Sequence, residues 1–331
     1  MYKIKQIPED FIVKEIINIK FDDNGIYSYF LLKKRNYNTL KAAETIANKL
    51  RISRKSIGFA GNKDKNAVTD QVISIKNGNR NIENIGFRDI ELKFIGRGNE
   101  EIYLGSHKGN EFLITIRNLA AKEIKAIENK LINNEILMPN YFGPQRFSSN
   151  NAEIGKSIIK KDFKKAAEMI IETNSDFKSE IIEHLEKRSN DFVVALKIIP
   201  LKLLKLYVHS YQSLLFNEAL GQLIEDKKIK PGSNEKIPLI GFGTEIKGSS
   251  IKKIIDSLLE KEKINLRDFI IRQIPELSSE GSEREAFIKI NDFKIIKQDN
   301  DELNKNKEKI IVKFSLPKGC YATVLIENLF G

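Results

Sequence analysis

The chain holds one cysteine, Cys320, three histidines, His107, His184 and His209, and no tryptophan. A lone cysteine forms no intramolecular disulfide, and four Cys and His residues this scattered make a poor zinc site. That argues against zinc deaminases and zinc fingers, and no metal is expected. A Cys–His nucleophilic pair can be drawn on paper. Cys320, however, follows "LPKG" and precedes an apolar, helix-like run, which marks it as a small packed residue. The missing tryptophan also tells against sugar chemistry by paired carboxylates, since sugar sites usually offer large aromatic platforms. No uncharged apolar stretch reaches membrane-spanning length, and no basic, strongly apolar leader is present. The opening "MYKIKQIPEDF" carries charges almost at once. A cytoplasmic protein with no membrane partner is expected.

Nucleotide-binding signatures are equally thin. "EIGKSII" contains Gly155, Lys156 and Ser157, the tail of a phosphate-binding loop. The motif needs a glycine five residues before Gly155, and Asn150 stands there. "GRGNEE", at Gly96 and Gly98, is too short to argue for a dinucleotide fold and reads as a turn.

Basic residues are plentiful. The formal charge is +11 and the pI about 9.3. Such a balance points to an anionic partner and says nothing about fold. Nucleic acid comes first, because its phosphates attract Lys and Arg whatever the base sequence. The charge is also concentrated. Lys33, Lys34, Arg35, Lys41, Lys49, Arg51, Arg54, Lys55, Lys63 and Lys65 are opposed only by Glu44 and Asp64 in that stretch. A solvated helix face explains such a run, and so does a phosphate-tracking surface. The two readings are compatible.

A length of 331 residues suggests two domains, and 41% hydrophobic residues supply a sizeable core. Residues Ile12 to Lys33 read as two strands joined by a turn at "DDNG". "NTLKAAETIANKL" has Leu40, Ala43, Ala47 and Leu50 at helical spacing, with Thr39 as the candidate N-cap. "QVISIK" alternates like a strand, and a further strand pair spans Ile90 to Arg117. A helix is expected from Ala121 to Asn134. Helical patterns dominate from about Lys156 to Ile271; Leu204, Val208, Tyr211, Leu215 and Ala219 share one face. "IIVKFSL" closes as a strand and "YATVLIENLF" as a helix. "DNDELNKNKEK" is polar and reads as an exposed loop. Strands at both ends with a helical block between them predict an α+β fold carrying a helical insertion.

Two stretches carry candidate chemistry. In "IGFAGNKDKNAVTDQVISIKN", Asp64 stands between Lys63 and Lys65 in a loop held between strand-like runs. A turn tolerates such an aspartate without further purpose. Two flanking cations would also lower its pKa and keep it ionised beside a polyanion. An ionised carboxylate serves as a covalent nucleophile or a general base. The second stretch is "PNYFGPQRF", with Asn140, Tyr141, Phe142, Gly143, Gln145 and Arg146. An aromatic pair is often core. A base-binding pocket, though, needs a ring to stack, an amide for the base edge and an arginine for a phosphate.

At these residues the chain resembles the TruD family of tRNA pseudouridine synthases over nearly its whole length. "FAGNKDKNAVTDQ" is similar to that family's G-x-K-D-x-x-A-V-T-x-Q motif. "NYFGPQRF" is similar to its N-Y-F-G-x-Q-R-F motif. "IPEDFIVKEI", "YFLLKKRNYNTLKA", "HKGNEF", "SYQSLLFNEAL" and "FSLPKGCYATVLIENL" have weaker counterparts. The sequence departs from the pattern at Ser148, usually Gly, at Ile326, usually Arg, and at "IYSYF", where a polar stretch is common.

The resemblance implies a pseudouridine-synthase-like catalytic domain with a central, mostly antiparallel sheet, residues 1–158 and 289–331. A largely helical TRUD domain, 159–288, is inserted in it. It implies that uridine, usually uridine-13 of tRNA, is isomerised to pseudouridine with no cofactor and no metal, and that Asp64 is the catalytic nucleophile. Lys5, Asn140, Phe142, Gly143, Gln145 and Arg146 then bind the substrate base. Lys33, Lys34, Arg35, Arg54, Lys55, Lys63 and Lys65 are the expected contacts to tRNA phosphates. The alternatives are a catalytically idle RNA-binding protein or RNA chaperone, and an unrelated carboxylate hydrolase.

Overall fold

The computed structural model describes residues 1–133, 136–173, 175–290 and 292–331. The chain forms two compact units: Met1–Ile136, Ile290–Ala322 and Leu329–Gly331 make the first, Leu137–Lys289 and Thr323–Asn328 the second. In chain order the first half contains β1 (Phe11–Ile16), β2 (Tyr27–Arg35), α1 (Thr39–Leu50), β3 (Ile57–Phe59), β4 (Val68–Lys76), β5 (Ile90–Gly98), β6 (Gly109–Leu119) and α2 (Ala121–Asn133). The Asn134 end expected for α2 lies outside the described residues. Next come β7 (Ile136–Pro139), α3 (Asn151–Ile159), α4 (Phe163–Glu172), α5 (Lys178–Lys187), α6 (Phe192–Lys197), α7 (Leu201–Glu225), β8 (Lys236–Leu239), α8 (Ser249–Glu262), β9 (Ser282–Glu285) and β10 (Phe287–Ile290). The chain closes with β11 (Lys294–Asn300), β12 (Glu308–Pro317) and α9 (Ala322–Phe330). The α+β class follows. Among the described residues no helix is long and apolar enough to cross a membrane.

The first unit is built on one sheet, ordered β11-β12-β6-β1-β4-β2-β5, with β3 also paired to β4. Every pairing in it is antiparallel except β1 with β4, where Ile12, Val13 and Lys14 run parallel to Val68, Thr69 and Asp70. The two strand pairs read from the sequence are therefore not hairpins. β4 separates β1 from β2, and β5 and β6 stand far apart in the order. Alternation explains which side of each strand is buried. In β12, Ile310, Val312, Phe314 and Leu316 are buried and the residues between them are not.

Helix α1 covers one face of this sheet. Its cap is Asn38, whose side chain accepts the Lys41 N–H, and not Thr39. Ala42, Ala43, Ile46 and Ala47 form its apolar stripe and join a core with Phe30, Leu32, Ile73 and Ile75. Lys41, Lys49 and Arg51 lie on its outer side.

The polar stretch "DNDELNKNKEK" is not simply an exposed loop, because its Asp301 is buried. Asp301 accepts from Arg117 Nη1 at 2.9 Å and from the Asn118 N–H at 2.8 Å. Arg117, itself buried in β6, also holds Asp10 at 2.8 Å and Glu302 at 3.1 Å.

The second unit is organised around α7, with Leu204, Val208, Tyr211, Leu215 and Ala219 all buried in one core. The "EIGKSII" stretch forms part of α3. A Cβ on Gly155 would lie 2.0 Å from the Tyr207 carbonyl oxygen, so glycine serves close helix packing there. Lys156 pairs with Glu262 at 2.7 Å instead of waiting for a phosphate. The Gly155→Ala variant should lose about 1–3 kcal/mol of stability through forced separation of α3 from α7. Thermal melting checks this; an unchanged Tm would mean that the two helices are not tightly opposed.

Candidate active site

The loop carrying Asp64 leaves β3 and enters β4. Neutral hydrogen bonds fix its backbone. The Lys63 N–H donates to Thr39 Oγ1 at 3.0 Å, the Thr39 hydroxyl to Gln71 Oε1 at 2.9 Å, and Gln71 Nε2 to the Gly61 carbonyl at 3.2 Å. Thr39 opens α1 and Gln71 lies in β4, so helix and strand grip the loop from two sides. Both side chains are buried, where satisfied polar groups hold a position tightly.

A charged contact adds to these. Lys34 of β2 is buried, and its ammonium donates to the Tyr37 carbonyl and, at 3.1 Å, to the backbone carbonyl of Asp64. Burial pushes the Lys34 pKa down to about 8; the Asp64 charge opposes that shift and Lys63 reinforces it. Lys34 was expected among the phosphate contacts. The structure corrects this: the side chain is inside and its ammonium is engaged with two carbonyls.

Lys5 is the lysine bound to the Asp64 carboxylate. Its Nζ lies 2.6 Å from Oδ2 and 4.1 Å from the centre of the Phe11 ring. The Asp64 side chain keeps 37% of its exposure. Lys5 sits in the left-handed region at φ 57°, which costs a side-chain-bearing residue on the order of 1 kcal/mol. Both flanks hold it there. Lys3 exchanges backbone hydrogen bonds with Arg117, and Asp10 accepts the N–H groups of Gln6 and Ile7 at 3.1 and 3.2 Å.

Lys63 does not serve Asp64 in this way. Its Nζ meets Glu15 of β1 at 2.6 Å, with both side chains buried. The expectation that Lys63 touches phosphate is therefore also corrected. Lys33, Arg35, Lys55 and Lys65 are exposed. Arg35 holds Glu9 at 2.6 Å on the surface. Arg54 is half-buried, with Nη1 on the Ile57 carbonyl and its guanidinium over Phe59.

The second unit brings the other motif together. Asn140 is buried and follows β7. Its N–H donates to the Ala286 carbonyl at 2.9 Å and its Nδ2 to the Glu285 carbonyl at 3.0 Å. Phe142 is held at both ends by one amide: its N–H donates to Asn217 Oδ1, and Asn217 Nδ2 donates to its carbonyl, each at 2.9 Å. The ring meets Phe216 edge-on at 5.5 Å, and the Arg284 guanidinium lies 4.1 Å above it. Arg146 donates to Ser213 Oγ at 3.3 Å. Gly143 is buried at the entry to the short 3₁₀ turn Pro144–Asn150, and Gln145 is exposed.

Sequence reasoning missed Glu15, Gln71, Asn217 and Arg284, and misread Thr39. Thr39 stands in the quoted "NTLKA", which signalled a helix start. Asn217 lies inside the quoted "SYQSLLFNEAL", with no local sign of its partner. Arg284 has no motif of its own, being joined to Asn140 across 144 positions.

The family described as tRNA pseudouridine synthase D (TruD) matches residues 2–182, 175–235 and 232–329. A protein of Methanosarcina acetivorans named probable tRNA pseudouridine synthase D is 32% identical over 98% of this chain and 92% of its own. A protein of Nanoarchaeum equitans with the same name is 34% identical, with 99% of this chain and 98% of its own covered. The crystal structure of a putative tRNA pseudouridine synthase D from Methanosarcina mazei superposes with a TM-score of 0.74 at 28% identity, covering 99% of this chain and 93% of that one.

Lys34 sets a stability experiment with a definite sign. Its folded pKa of about 8 lies below the ordinary 10.5. Between these values the unfolded chain still carries a proton that the folded chain has released. Raising pH through that window therefore stabilises the fold. Lys34→Met lacks this contribution. Melting curves of both proteins from pH 7 to 10.5 should show the wild type gaining on the variant above pH 8. Parallel curves would mean that Lys34 titrates as it does in water.

Proposed function

We propose, from the premise that this chain belongs to the tRNA pseudouridine synthase D (TruD) family, that it converts uridine in tRNA to pseudouridine with Asp64 as the essential carboxylate. The observation that carries this reading is the Lys5–Asp64 pair, at 2.6 Å, on a loop whose backbone is clamped by Thr39, Gln71 and Lys34. A turn aspartate needs no such support. A reacting carboxylate does, because a small misplacement of a reacting group costs much of the rate.

The reaction is an isomerisation. The bond from uracil N1 to the anomeric carbon breaks, and a bond from C5 to the same carbon forms. The C5 proton leaves to solvent, N1 gains one, and nothing is oxidised or reduced. One carboxylate on the ribose side serves it, either by attacking the anomeric carbon or by removing the neighbouring sugar proton. Lys5 gives that carboxylate a counter-charge and an orientation. The base must first leave its stack, at a cost of a few kcal/mol. Phe142 offers a surface on which to stack it, and Asn140 an amide for its edge. Lys33, Arg35, Arg54, Lys55 and Lys65 offset the cost by attracting phosphates. By family resemblance the target is uridine-13. The functional division places the catalytic domain at 1–158 and 289–331 and the inserted TRUD domain at 159–288. Residues 137–158 pack in the second compact unit and are assigned to the catalytic domain because they carry the pocket motif.

The test is tritium release from tRNA labelled at uridine C5, with no added cofactor. Wild type should release tritium. Asp64→Asn should release none above background, while its Tm and its filter-binding curve for tRNA stay close to wild type. Asn suits turns as well as Asp does, so a turn residue would pass both tests and keep activity. Turnover near the wild-type rate in Asp64→Asn would sink the assignment. Tight binding with no tritium release by the wild type would favour an RNA-binding protein without catalysis.

A further inference from the structure

We propose that one face of α7, carrying Lys202, Lys205 and His209, is a phosphate-binding surface for the single strand of RNA that leads to the base pocket; this rests on reading Phe142 as the ring on which the base stacks. All three residues lie in the second unit and outside the basic run 33–65 of the sequence. At 3.6 residues per turn, positions 202, 205, 209, 213 and 217 of α7 share a face. Lys202, Lys205 and His209 are exposed on it. At position 213 the face takes up Arg146: the Ser213 hydroxyl accepts its Nε at 3.3 Å and donates to the His209 carbonyl at 2.7 Å. The Arg146 guanidinium lies 5.9 Å from the centre of the Phe142 ring. At position 217 the Asn217 amide holds the Phe142 backbone. One side of one helix thus presents two ammonium groups, an imidazole and a guanidinium in line, and ends at an aromatic ring. A cationic track beside a stacking ring is the general form of a surface for single-stranded nucleic acid. A single row of cations follows one backbone, where a duplex presents two.

An ordinary solvated helix face mixes the two signs of charge at spacings of three and four. Here the first acid of α7 is Glu218. The lysines also stand in the first two turns, near the positive end of the helix dipole, where cations are unfavourable. No acid in the first turn and no side-chain cap offsets them. Neither lysine forms an ion pair among the described residues. Helix stability does not explain this placement, whereas a bound phosphate turns each repulsion into an attraction.

His209 makes the grip depend on pH. The packing around its ring, then the charges of Arg146 and Lys205, hold its pKa below the ordinary value, and no carboxylate among the described residues opposes them. Lys202 follows on the same face. Near pH 7 the imidazole of the free protein is therefore mostly neutral. A phosphate set among these cations favours its protonated form, so binding takes up a proton and tightens as pH falls.

The experiment measures filter binding over a salt series with two probes, unmodified tRNA and a single-stranded oligouridylate. Lys202→Gln/Lys205→Gln should lower the log–log salt slope for both probes by about 1.4 to 1.8, the share of two phosphate contacts. Lys202→Glu/Lys205→Glu should bind about tenfold or more weakly while its Tm holds or rises, because acids suit that end of a helix. Wild type should tighten by about threefold from pH 8 to pH 6, and His209→Gln should lose that gain. An unchanged slope in the Gln pair overturns the proposal, as does an unchanged pH dependence in His209→Gln. So does a change confined to tRNA, which would mean that the face meets a duplex stem. Tritium release by the wild type reports on the activity separately. No release with a lowered slope overturns the synthase reading and leaves this surface standing, and release with an unchanged slope does the reverse.

Discussion

The geometry at the Asp64 loop depends on a cation that never touches it. Arg117 is buried in β6 and binds three carboxylates, from Asp10, Asp301 and Glu302. Its backbone meanwhile pairs with Lys3. Between Lys3 and Asp10 lies Lys5, which therefore has little freedom to leave Asp64. Burial would lower the pKa of Arg117, and the hydrogen bonds it donates to Glu302, Asp10 and Asp301 outweigh that and raise it. Burial would raise the pKa of Asp301, yet backbone N–H groups, Asn304 and Arg117 bring it down to about 2. Deleting one buried member of the cluster would cost about 3–5 kcal/mol by stranding its partner.

Charge and position are handled by different groups. Neutral bonds from Thr39 and Gln71 set the loop backbone, Lys34 holds one of its carbonyls, and Lys5 meets the carboxylate. Lys63, adjacent to Asp64 in sequence, is paired with Glu15 inside the sheet. Three lysines with one kind of side chain thus have three unrelated tasks, set by what surrounds each. The second unit repeats the arrangement with an amide and a guanidinium in place of the lysines. Asn217 fixes the backbone of Phe142 and Arg284 covers its ring.

Local pattern made much of this legible. The strand alternation of β12, the buried face of α7 and the two motif loops were written in short stretches; the α1 stripe was only half legible, since Ala43 and Ala47 are buried but Leu40 is exposed and Ile46 takes the core position. Strand neighbours were not. A turn between β1 and β2 looks like a hairpin, and only the long-range pairing of β1 with β4 shows otherwise. The burial of Asp301 was hidden for a similar reason. A polar run signals solvent unless a buried cation elsewhere in the chain needs it, and that cation, Arg117, is 184 positions away. The role of Lys34 was misjudged because a basic run was read as one surface. Along β2, successive side chains face opposite sides, so Lys33 and Arg35 are outside and Lys34 is inside.

The position of β12 in the sheet governs how the protein is made. Strands β6, β1, β4, β2 and β5 are neighbours, and all lie within the first 119 residues. A growing chain can assemble that half-sheet early, with Arg117 already matched by Asp10. β12, which covers the exposed edge of β6, arrives only after residues 137–289 of the second unit have been synthesised. Asp301 and Glu302 come with it. Until then β6 is an open edge, the kind of strand on which neighbouring nascent chains pair and aggregate. The sheet is thus sealed, and the last acidic partners of Arg117 dock, only once β12 has been made.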